Sequence, residues 1–133
     1  MSQENVELVR RFWAAWERGD LEAVFALYDP WIVWVNHSGP VEAHGGYLGY
    51  DEVRGFWREW LESFERLENH AETFVDGGDS VVVSWRMSGR GKASDAPVDV
   101  SGWSVHTLRN GAQIRIDVFG TKSEALQAAG LSE

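Results

Sequence analysis

The 133-residue chain contains no cysteine, so a disulfide frame, a thiolate nucleophile and a thiolate metal site are all excluded. Long apolar runs are missing too: no stretch approaches the roughly 18 residues of a membrane-spanning helix. The opening Met1-Ser2-Gln3-Glu4 lacks the basic-then-apolar pattern of a secretory leader. The expectation is a soluble, cytoplasmic, single-domain protein with no membrane partner. Basic residues are scarce, 12 against 21 acidic, for a net charge of −9. Such a chain repels polyanions, so no nucleic-acid partner is expected. Phosphate loops, Rossmann glycine patterns and nucleophile elbows do not occur. His37 and His44 lie in a glycine-rich loop without H-x-H, H-x-x-x-H or Glu-x-x-His spacing. They read as surface or loop-anchoring histidines, and neither a metal nor a cofactor is expected.

Tryptophan, by contrast, is abundant: Trp13, Trp16, Trp31, Trp34, Trp57, Trp60, Trp85 and Trp103 make eight. Rings of this size suit a core or a binding cavity equally. Hydrophobic residues make up 44% of the chain, enough to bury a core.

Ser2 can cap a first helix to about Arg18, with Val6, Val9, Phe12, Trp13 and Trp16 on one stripe. Gly19 stops it, and Asp20 caps a second helix through about Tyr28. Trp31–Val35 reads as a short strand, followed by a loop from Asn36 to Gly49. Asp51 caps a third helix to about Arg66, carrying Val53, Phe56, Trp57, Trp60, Leu61 and Phe64 at helical spacing. Strands are expected at Glu68–Val75, Ser80–Arg90, Val98–Arg109 and Ala112–Phe119. Thr121 and Glu124 form a capping box for a last short helix that ends at Gly130. Helices first and antiparallel strands after them define an α+β class.

Asn110-Gly111 joins the last two strands, and both residues tolerate the positive φ of a two-residue hairpin turn. Counting outward from that turn sets His106 opposite Arg115 and Ser104 opposite Asp117. One face then carries Ser104, His106, Arg115, Asp117 and Phe119; the other carries Trp103, Val105, Thr107, Ile114, Ile116 and Val118. Pattern alone allows either face to meet the helices. With the apolar face inward, Arg115–Asp117 becomes a surface ion pair.

The stretch Glu7–Leu27 (ELVRRFWAAWERGDLEAVFAL), Asp29-Pro30 with its Trp-bearing strand, Gly49–Phe56, Gly78–Arg86 (GDSVVVSWR), His106–Ile116 (HTLRNGAQIRI) and the closing EALQAAGL together resemble a SnoaL-like protein of the nuclear transport factor 2-like superfamily. The resemblance implies a cone-shaped, curved antiparallel sheet wrapped by three helices from the N-terminal half, with a short C-terminal helix and a pocket inside. It also implies a homodimer through the convex sheet face, formed here by Trp103, Val105, Ile114, Ile116 and Val118.

On that frame the polar hairpin face lines the pocket. Asp117 matches the acid/base aspartate that polyketide cyclases of the family carry on their closing strand, and His106 assists it. Desolvation in an apolar cavity raises a carboxyl pKa toward neutrality, as proton abstraction requires. Arg115, Phe12, Trp16, Trp34, Trp57, Trp60 and Phe119 contact a small apolar molecule. Arg115-Ile116-Asp117 is similar to the Arg-x-Asp pairing of limonene-type epoxide hydrolases, but the second aspartate they need has no counterpart here. Set against the ketosteroid isomerases, Phe12 stands at the oxyanion tyrosine, Asn36 at the base and Ser104 at the protonated aspartate. Phe12 cannot donate and Asn36 cannot take a proton, which argues against steroid-isomerase chemistry. Asn36 and Ser104 remain as neutral ligand contacts. The function implied is an acid/base enzyme of isomerase, cyclase or dehydratase type acting on a small apolar carbonyl or cyclic compound. The alternative is a non-catalytic ligand-binding or dimerisation domain of the same fold.

Overall fold

A computed structural model describes residues 2–132, and the side chain of Ser2 lies outside the described residues, as does any capping by it. The chain runs α1 (Ser2–Glu17), α2 (Leu21–Ala26), β1 (Tyr28–Asn36), a single 3₁₀ turn (Val41–Ala43), β2 (Gly45–Leu48), α3 (Tyr50–Glu62), β3 (Phe64–Asp76), β4 (Ser80–Gly91), β5 (Pro97–Arg109), β6 (Ala112–Phe119) and α4 (Lys122–Ala128). The six strands form one curved, open sheet in the order β2-β1-β6-β5-β4-β3. Every neighbouring pair is antiparallel except β1 with β6.

Local chemistry sets most of these boundaries. The Asp20 carboxylate accepts from the Ala23 backbone N–H at 3.2 Å, capping α2. Tyr28, expected in that helix, instead opens β1 and is buried. Helix α3 starts one residue before Asp51, with Gly49 at its N-cap, so Asp51 acts from the first turn through its charge. It also stops at Glu62, short of the expected Arg66, because Phe64 and Arg66 pair with Gly91 and Arg90 in a long β3–β4 ladder. Tertiary pairing here overrides the helical spacing of Phe64. Thr121 accepts from the Glu124 N–H at 3.3 Å, the N-cap half of the expected capping box, while the Glu124 carboxylate accepts from the Thr121 hydroxyl at 2.8 Å rather than from its backbone N–H.

The main core lies between the inner sheet face and α1–α3. Val9, Val24, Ile32, Val53, Val81 and Val83 are sealed there, with Phe12, Trp16, Trp34, Ile116 and Val118 packed among them. A smaller cluster on the outer face places Val82, Val105, Trp103 and Phe119 beneath Ala125 and Leu126 of α4. No helix of the described residues is long and apolar enough to cross a membrane.

Asn110 and Gly111 take φ of +53° and +77°, and Arg109 pairs with Ala112, as expected for the two-residue turn. The register beyond differs. Leu108 pairs with Gln113 but Thr107 pairs with Arg115, so Ile114 is an extra residue bulged out of β6. From there His106 sits opposite Ile116 and Ser104 opposite Val118. A one-residue slip turns every later side chain to the other face. Ser104, His106, Ile116 and Val118 therefore point inward, while Trp103, Val105, Arg115, Asp117 and Phe119 point outward.

Two expectations are corrected by this slip. Asp117 and Arg115 do not share a face with His106. Nor do Trp103, Val105, Ile114, Ile116 and Val118 form one uncovered apolar face, because Ile116 and Val118 are core residues and α4 covers Val105.

Candidate functional site

The inner sheet face, α1 and α3 border a cavity of about 540 Å³. The stripe of α1 contributes Phe12, Trp13 and Trp16, α3 adds Phe56, Trp57 and Trp60, and β1 adds Tyr28 and Trp34. The rings lock one another: Trp16 meets Trp57 edge-on at 5.0 Å, and Trp34 lies 4.7 Å from Phe56. Aromatic pairs at such separations hold the wall rigid beyond their burial alone. Of the expected contact residues, Phe12, Trp16, Trp34, Asn36, Trp57, Trp60, Ser104 and His106 line this cavity. Arg115, Asp117 and Phe119 are not among its lining residues.

His106 is 1% exposed. The Trp13 indole N–H donates to its Nε2 at 3.2 Å, and Gln113 Oε1 lies 2.6 Å from its Nδ1. An indole nitrogen can only donate, so Nε2 holds the lone pair and the ring proton sits on Nδ1, donated to Gln113. Both nitrogens are occupied and the imidazole is held neutral. Burial pushes its pKa down from 6.5 to about 4, and the Gln113 hydrogen bond offsets only part of this. A proton shuttle needs a free nitrogen facing the substrate, and His106 offers none.

Ser104 and Asn36 are similarly spent. Trp85 lies against Gly102, where a Cβ would come within 2.6 Å of its ring. From there its indole N–H donates to Ser104 Oγ at 2.7 Å. The Asn36 amide donates to the carbonyls of Ser38 and Ala43, and its oxygen accepts from the Ser38 N–H and hydroxyl. Asn36 is thus the anchor of the loop that forms one lip of the cavity. Glu42 and His44, both exposed, stand on that lip, with His44 Nε2 3.0 Å from the Gly39 carbonyl. The Tyr28 hydroxyl and the Trp57 and Trp60 indole nitrogens are buried without a hydrogen-bond partner. Burial drives the Tyr28 pKa up; the Trp57 N–H beside it counters this weakly, in a geometry short of a hydrogen bond.

On the outer face Asp117 belongs to a different constellation. Arg115 donates to it through Nε at 2.8 Å and Nη2 at 3.0 Å, and His37 Nε2 lies 2.8 Å from its Oδ1. The His37 ring stacks on Phe119 at 4.6 Å. The hydrogen-bonded carboxylate beside it raises the Arg115 pKa. Among the described residues no group of three or more His, Asp or Glu could hold a metal ion.

Sequence reasoning missed Trp13, Trp85 and Asn69 as cavity residues and His37 as the partner of Asp117. Asn69 did leave a trace. In β3, Leu67, Asn69 and Ala71 alternate with Glu68, His70 and Glu72, which sets a carboxamide in the inward, apolar phase.

A curved open sheet wrapped around an aromatic cavity by N-terminal helices defines the cone-like α+β class of small pocket proteins. The SnoaL-like domain model matches residues 9–116, and the chain belongs to that family. Among solved structures, a SnoaL-like polyketide cyclase candidate from Jannaschia sp. CCS1 is 26% identical with a TM-score of 0.76, covering 96% of this chain and 92% of its own. A protein with a ketosteroid isomerase-like fold from Catenulispora acidiphila, in complex with trimethylamine, is 19% identical with a TM-score of 0.73, covering 95% and 94%. An isomerase candidate from Bacillus subtilis is 18% identical with a TM-score of 0.75, covering 96% and 93%. Comparison with curated proteins gives no match.

Proposed function

We propose that the chain binds a small, neutral, mainly apolar ring compound in the inner cavity. The observation that carries this reading is the lining itself: an aromatic cage of about 540 Å³ in which the charged groups stand only on the lip. Large apolar pockets with a few polar groups are the usual form of a small-molecule site. The names cyclase and isomerase among the fold relatives support a pocket of this kind. Their chemistry is not carried over, since Asp117 faces away from the cavity and His106 has no free nitrogen. An acid/base enzyme is the second reading, and its proton-transfer groups at the cavity are Glu42 and His44.

Naphthalene serves as the probe. Titrated into the protein, it is expected to saturate at one molecule per chain, with the same affinity in Glu42→Gln. Absence of saturable binding overturns the reading. Self-association remains a proposal on a different surface: Trp31 (79% exposed) and Leu48 (64%) leave an apolar strip at the β1–β2 edge.

A further inference from the structure

We infer that Asn69 is the residue by which the cavity recognises its ligand, and that the ligand carries a hydrogen-bond donor beside an acceptor on one edge, as a lactam does. The inference rests on the cavity being a small-molecule site, and it narrows what that site takes.

Asn69 is 6% exposed and lines the cavity. It lies in a row across the sheet, with Met87 beside it on β4 and Val100 beyond on β5, and all three line the same wall. Among the described residues its carboxamide makes no side-chain hydrogen bond, whereas Ser104 and His106 of the same wall are both engaged, and the unpartnered Tyr28 hydroxyl and Trp57 and Trp60 indole nitrogens are sealed from the cavity space. Its amide atoms are not sealed off, and on this wall the space they open to is the cavity.

An amide without a protein partner gains less from this apolar surrounding than leucine at the same inward position would. The chain keeps the amide where Leu67 and Ala71 mark the surrounding phase as apolar. A carboxamide offers one acceptor and one donor side by side, in the plane of the group. Its complement is an edge with the reverse order, N–H next to C=O, on a molecule flat enough for the aromatic walls. Anionic ligands do not fit, because no lysine or arginine is among the lining residues.

The test uses three flat two-ring probes: 2-quinolinone, its 1-methyl derivative, which lacks the N–H, and naphthalene, which lacks both groups. Titrations are followed by the indole N–H signals in ¹H–¹⁵N spectra. In the native protein 2-quinolinone is expected to bind about tenfold more tightly than 1-methyl-2-quinolinone, the worth of one well-made hydrogen bond. In Asn69→Leu the two should bind alike, with naphthalene binding retained. Asn69→Ala repeats the test without added bulk should the leucine variant fail to fold. If naphthalene binds but 2-quinolinone shows no preference, or the preference survives in both variants, Asn69 is not the recognition group and the cavity reading stands. If none of the three binds, the cavity reading falls and this inference with it.

Discussion

The two faces of the β5–β6 hairpin hold polar groups of similar chemical promise by opposite means. On the inner face His106 is sealed among Phe12, Trp13 and Ile116 and kept neutral, its lone pair taken by Trp13 and its proton by Gln113. On the outer face Asp117 is less completely covered, at 8% exposure against 1%, and is held by Arg115 and touched by His37. In a dry interior, neutralising a group is cheaper than pairing it; near water, a pair can form without full desolvation. The difference teaches that a titratable residue in a pocket wall is not thereby a catalyst. What marks a working group is spare hydrogen-bonding capacity open to the cavity; Asn69 has it, whereas the unpartnered Tyr28 hydroxyl and Trp57 and Trp60 indoles are sealed.

The largest expected effect tests the inner arrangement. His106→Ala opens a void and strands both Trp13 and Gln113, so it should cost about 3–5 kcal/mol in urea unfolding. A loss below about 1 kcal/mol would mean that the histidine is not integrated as described.

Acid should show nearly as large an effect. The folded-state pKa of His106 is depressed from 6.5 to about 4, so the unfolded chain takes up the proton first as pH falls. Its stabilising contribution is whole above pH 6.5 and drains away toward pH 4, amounting to about 3 kcal/mol. The stability–pH slope of His106→Phe in this window should be shallower than that of the native protein, and equal slopes would contradict the assignment.

The smallest effect belongs to the outer face. Asp117→Asn keeps the shape but weakens three charge-assisted bonds, for a loss of about 1–2 kcal/mol. Naphthalene affinity should not change. A drop in that affinity would tie the two faces together and revive Asp117 as a cavity residue.

Much of this was legible in the sequence. Helical stripes, the caps at Asp20 and Thr121, and the positive-φ pair Asn110-Gly111 are local signals, and they placed α1, α2, α4 and the hairpin turn. The aromatic wall was legible for the same reason, since Phe12, Trp16, Trp57 and Trp60 follow helical periodicity. The bulge at Ile114 was not. Isoleucine suits an ordinary strand position, and the slip arises where β6 also pairs with β1: the Gln113 N–H donates to the Leu27 carbonyl. That non-local bond decides which face Asp117 takes. Beyond the bulge each strand consequently adopted a different one of the two arrangements the pattern allowed: β5 turned Ser104 and His106 in, and β6 turned Arg115 and Asp117 out. Strand β2 was hidden because Gly45-Gly46 reads as a turn, although Trp34 and Val35 pair with Tyr47 and Gly46.

The tryptophans themselves provide the most direct test of the central claim. Trp57, Trp60 and Trp85 line the cavity, whereas Trp31 is exposed outside and Trp103 lies under α4. With ¹⁵N-labelled protein and naphthalene, the indole N–H signals of Trp57, Trp60 and Trp85 should shift and saturate together while those of Trp31 and Trp103 stay in place. Movement of Trp31 or Trp103 with a silent cavity set would contradict the account and move the site to the outer face.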